Sequence, residues 1–190
     1  MTSENSGNYL RKDMSVSMLA ANFYSIPLVI IASSIILIPF FLLWGWVPFK
    51  TGFNNFSNLY LFIPAMLIGI LLHEIIHALS WKYFGKMDWD KIKIGFQWKT
   101  ITPYAHCKEP ITASVYRVGT LAPSIILGFI PAFIAIIIGD GWLFTFGFLF
   151  TVAAGGDFLI LFLIIKVKPD DLIEDHPVRA GCYVLENTSP

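Results

Sequence analysis

Residues 22–47 carry no charge, and three further stretches, 59–83, 113–138 and 142–165, carry at most two each. All four reach the roughly 20 residues that a helix needs to cross a bilayer. In hydrocarbon, backbone N–H and C=O groups find no water, so such runs must pair their own backbone as helices. The pattern therefore predicts an all-α polytopic membrane protein with four transmembrane helices. Composition agrees: of 190 residues 56% are hydrophobic and 14% charged, against roughly 25% charged in an average soluble domain. The expected organisation is a polar N-terminal tail (1–20), a membrane domain (21–168) and a polar tail (169–190). The polar residues ahead of the first run, and that run's length, argue against a cleavable signal peptide.

Inside the second run lies His73-Glu74-Ile75-Ile76-His77. Residues four apart share one helix face, so both imidazoles can be aimed at one metal ion. Glu74 lies beside them, where a carboxylate can take the proton of a water that the metal activates. In a soluble helix the same letters also describe two core histidines and a solvated glutamate. Hydrocarbon offers Glu74 no solvent, and ionisable groups at that depth are costly and usually functional. Zn2+ is the expected cofactor.

A catalytic zinc usually takes three protein ligands. The candidates for the third are Asp157, His106, Glu109, Asp175 and His176. Asp157 is the one other carboxylate within a predicted span, and the small residues of 153–156 would let its helix approach closely. Depth points the same way: His73 lies nine residues before Lys82, and Asp157 nine before Lys166. The ordinary reading of His106 is an exposed histidine, with substrate contact as the alternative. Asp175-His176-Pro177 reads as turn or cap chemistry.

Between the second and third runs the chain changes character. Ile92, Ile94 and Phe96 alternate with Lys91, Lys93 and Gly95, the period of a strand. A small β-hairpin over 88–104 is expected, with 98–101 as the partner strand and Pro103 ending it. Its edge, with Ile94 and Phe96, could hold an extended substrate by strand addition. Residues 50–58, rich in Asn and Gly, read as a polar loop. Pro123 and Pro131 predict bends or local unwinding in the third span. Lysines and arginines gather before the first run, between the second and third, and after the fourth. The positive-inside rule then places both termini and the hairpin in the cytoplasm of a cell-membrane protein.

These residues resemble the site-2-protease class of intramembrane metalloproteases, with HEIIH in one transmembrane helix and an Asp in a later one. Over about residues 15 to 185 the chain is more similar still to a family of small bacterial membrane proteins of zincin-peptidase type. There HExxH, a segment like Pro103-Tyr104-Ala105-His106-Cys107-Lys108-Glu109-Pro110 and a late intramembrane Asp recur in this order. The resemblance implies zinc on His73, His77 and Asp157, with Glu74 as general base. It departs from the site-2 pattern in that glycines precede the Asp (Gly155-Gly156-Asp157-Phe158) and Ala122-Pro123 stands in place of Asn-Pro.

The expected function is zinc-dependent hydrolysis of peptide bonds in membrane-protein or peptide substrates, within or at the lipid bilayer. A zinc-binding scaffold without turnover would need the same ligands, and a metal-ion transporter would ordinarily need more than one such cluster. Zero net charge argues against a nucleic-acid partner. Cys107 and Cys182 match no metal-ligand spacing.

Overall fold

The computed structural model describes residues 3–6, 9–97 and 102–187. Strands β1 (Ser3–Ser6) and β2 (Tyr9–Val16) precede helix α1 (Met18–Trp44), a short α2 (Trp46–Phe56) and α3 (Leu59–Phe84). Strands β3 (Ile92–Gln97), β4 (Thr102–Cys107) and β5 (Ile111–Thr112) follow. A long third helix is built of α4 (Ala113–Pro123), a π-helical stretch (Ser124–Phe129) and α5 (Ile130–Ile138). Helices α6 (Gly141–Ala153) and α7 (Gly155–Leu163) and strands β6 (Leu172–Asp175) and β7 (Ala180–Asn187) complete the chain.

Three helical segments, Met18–Trp44, Leu59–Phe84 and Ala113–Ile138, are long and apolar enough to cross a membrane, and α6 with α7 adds a fourth if the bent pair is one span. The protein is thus mostly helical and multi-pass. Its bounds follow local chemistry. Ser17 Oγ accepts the Ala20 N–H at 3.2 Å to start α1, and Asn58 Oδ1 accepts the Tyr60 N–H at 3.1 Å to start α3. Gly45, at φ +70°, ends α1, a conformation that a side chain would oppose.

Lipid gives helices no hydrophobic reason to associate, so they meet through close packing at small residues. Gly69 of α3 lies against the Phe150 ring, and Gly147 of α6 against the backbone of α5 at Ala132. Phe40 and Phe144 stack at 3.9 Å between ring centres, joining α1 to α6.

Three expectations need correction. First, residues 50–58 were expected to be a loop, but α2 runs through Phe56. Gly52 packs on the backbone at Gly141, and Phe56 is buried against Phe62 and Trp142; packing overrides the weak helix propensity of Asn and Gly. In the third span the expected local unwinding takes the form of the π-helical stretch just after Pro123. Second, residues 98–101, expected to pair with β3, lie outside the described residues, and the strand seen to pair with it comes after them. It is β4, which runs through Pro103, with Ile92 opposite Cys107 and Gln97 opposite Thr102.

Third, the fold is not all-α beyond one hairpin, and the polar ends are not free tails. Among the described residues β1, β2, β7, β6 and β5 form one antiparallel sheet in that order. β2 pairs with β7 from Tyr9 opposite Asn187 to Val16 opposite Ala180, and Arg11 meets Glu174 across the sheet at 2.8 Å. Ile173 and Cys182 are buried from it into a core shared with Ala78, Trp81 and Tyr116. Both sheets therefore sit at the end of the bundle where α3 finishes and α4 begins.

Candidate metal centre

His73 and His77 project from one face of α3, one turn apart, with ring centres 4.8 Å apart. Asp157 comes from the first turn of α7, just past the point where α6 and α7 bend by 44° about Ala154. The bend turns Asp157 toward the histidines: its Oδ2 is 3.1 Å from His73 Nε2 and its Oδ1 is 3.5 Å from His77 Nε2. The three groups offer ligand atoms within 4.8 Å of one another, and they form the one such cluster among the described residues.

The side chains fit a metal ion better than they fit each other. Asp157 Oδ2 is buried without a hydrogen-bond partner, although His73 Nε2 lies at 3.1 Å; the atoms are close but not aligned as donor and acceptor. His73 Nε2 and His77 Nε2 face different oxygens of one carboxylate, at 3.1 and 3.5 Å, close enough for one ion to be held among the three side chains. A buried carboxylate oxygen with nothing to bond is costly, and a cation shared with two imidazoles removes that cost.

His77 is further arranged for ligation. Its Nδ1–H donates to the Gly119 carbonyl of α4 at 2.8 Å, which leaves Nε2 as the lone-pair atom facing Asp157. Its ring stacks on Trp81 at 5.7 Å, and Trp81 stacks on Tyr116 at 6.4 Å. Trp81 in turn closes over Gly119, where an added Cβ would collide with the indole. Gly119→Ala should therefore displace Trp81 or the carbonyl that orients His77. We expect a loss of stability of about 1–3 kcal/mol, typical of overpacking, measured by unfolding in detergent, together with weaker zinc retention.

Glu74 stands beside the cluster. Its carboxylate faces the backbone N–H of Ala105 in β4, so β4 is the strand that reaches the site. Ile94 and Phe96 lie on the neighbouring β3, both exposed.

The remaining third-ligand candidates are engaged elsewhere. Glu109 pairs with Lys91 at 2.9 Å. His176 Nδ1 accepts the N–H groups of Val178 and Arg179, the turn chemistry expected of it. His106, a third exposed, points Nδ1 at Asp175 Oδ2 at 3.2 Å. That carboxylate raises the His106 pKa above its ordinary value. Burial pushes the thiols of Cys107 and Cys182 up to about 12, which makes them packing groups rather than nucleophiles.

Sequence reasoning missed Gly119, Trp81, Tyr116 and Ala105. Of these only Trp81 left a signal, standing four residues after His77 as His77 does after His73. Comparison of the chain with curated proteins and with solved structures gives no match. A family model described as "Putative zincin peptidase" matches residues 66–172, a segment that holds both histidines, Glu74, Asp157 and the strand at Ala105. That segment is more than half of the 190 residues, and the chain belongs to this zincin-peptidase family.

Proposed function

We propose that the protein is a zinc metallopeptidase whose centre lies within the membrane and acts on peptide bonds of membrane-associated substrates. The observation that carries this reading is the convergence of His73, His77 and Asp157 beside Glu74. His73, His77 and Asp157 would hold the ion. When bound, zinc polarises a peptide carbonyl and makes water acidic enough to yield its proton near neutral pH.

The chain's own residues supply the rest. Glu74 accepts the proton of the attacking water and returns it to the leaving amine. Gly119 holds His77 in the tautomer that leaves Nε2 available. The Ala105 N–H fixes the Glu74 carboxylate at the edge of β4. A transmembrane substrate hides its carbonyls in helical hydrogen bonds, so it must unwind before cleavage. The strand pair β3–β4 would hold the unwound segment by strand addition, with the exposed Ile94 and Phe96 touching its side chains.

The deciding experiment joins metal analysis of purified wild type and His73→Ala with cleavage of candidate membrane peptides. The expected result is one zinc per wild-type chain, its loss in the variant, and cleavage by the wild type alone. Zinc binding without any cleavage would instead assign a scaffold role.

Orientation forms part of the same reading. The basic residues cluster at the end that carries both sheets, so that end would face the cytoplasm. Single cysteines placed at 91–97 should react with an impermeant reagent from the cytoplasmic side, and one at Asp140 from the opposite side. The reverse pattern would place the centre nearer the outer leaflet.

A further inference from the structure

Asp175 ends β6 with its side chain 12% exposed, three residues beyond the segment matched by the family model. Its carboxylate receives donors from two other elements. Tyr116 of α4 donates its hydroxyl to Oδ1 at 2.6 Å. The Cys107 backbone N–H of β4 donates to Oδ2 at 2.9 Å, and His106 Nδ1 faces the same oxygen at 3.2 Å. Each partner leads to the centre by a short path. Tyr116 precedes by one helical turn the Gly119 whose carbonyl holds His77, and its ring backs the Trp81 that stacks on His77. On the other side, alternate residues of an antiparallel strand turn their N–H groups to the same edge. Cys107 and Ala105 therefore share the edge of β4 that reaches Glu74, about 7 Å apart along the strand.

We infer that Asp175 is a positioning residue for the metal centre, locking α4, which orients the ligand His77, to β4, which orients Glu74. The inference rests on the metal reading of the cluster. Its chemistry is specific to a carboxylate, which offers acceptor sites on both oxygens. An asparagine can keep Tyr116 on its carbonyl oxygen only by turning its amide N–H groups toward the Cys107 N–H, donor against donor. The neighbouring Glu174 supplies an internal comparison: it lies on the same strand but pairs with Arg11 at 2.8 Å, within the sheet and away from the centre.

The test is zinc affinity by chelator competition, with cobalt as a spectroscopic substitute, on full-length protein in detergent. Asp175→Asn and Tyr116→Phe should each weaken zinc about tenfold, the lower end for groups that orient ligands. The double variant should lose no more than about twofold beyond either single one, because both act along one path. At full occupancy the visible cobalt bands should shift in Asp175→Asn and stay unmoved in Glu174→Gln. Wild-type affinity and spectrum in both single variants would overturn the inference while leaving the metal site standing. So would an equal loss in Glu174→Gln, which would mark general loosening of the sheet, or fully additive losses in the double variant. A wild-type protein that holds no zinc would overturn the metal reading itself and this role with it.

Discussion

Glu74→Gln is expected to retain full zinc and an unchanged unfolding temperature while peptide cleavage falls by about 10²–10⁴, the usual contribution of a general base. The substitution is conservative where the fold depends on it. A glutamine carbonyl can face the Ala105 N–H as the carboxylate does, so the edge of β4 stays in place. Neither the two imidazoles nor Asp157 relies on Glu74 for position, since Asp157 meets them directly and His77 is held by Gly119. What the amide cannot do is take a proton. The measurement is turnover of a membrane peptide by variant and wild type at equal zinc content. Residual cleavage within about tenfold of wild type would remove Glu74 from the base role.

Asp157→Ala should lose most of its bound zinc, to the same extent as His77→Ala, whereas His106→Ala should keep it. The separations decide this. Asp157 stands 3.1 and 3.5 Å from the two imidazole nitrogens, while His106 is committed to Asp175. Removing the carboxylate leaves two neutral ligands, one short of the three that catalytic zinc sites use. The apoprotein should fold, because Asp157 makes no aligned hydrogen bond through its buried oxygen. Metal content of the purified variants is the readout. Full zinc in Asp157→Ala together with loss in His106→Ala would relocate the site to β4.

What the sequence alone determined was set by short-range physics. Apolar runs long enough to cross a bilayer leave a chain few options but helices, so most of the helical content could be read directly. The four-residue spacing of His73 and His77 follows from helix geometry alone. Matching depth then singled out Asp157 before any contact was known. The limits of the reading are equally physical. The strands β2 and β7 carry only a weak alternation, and each forms because the other, more than 160 residues away, supplies its backbone partners. The helix α2 exists because Gly52 and Phe56 find α6 and its aromatic neighbours. Only the tertiary structure could decide which backbone carbonyl orients His77, which strand reaches Glu74, and that one carboxylate at Asp175 ties the two together. Those are contacts between groups distant in the chain, and most have on one side a backbone atom, which every residue carries and which therefore leaves no mark in the amino-acid code.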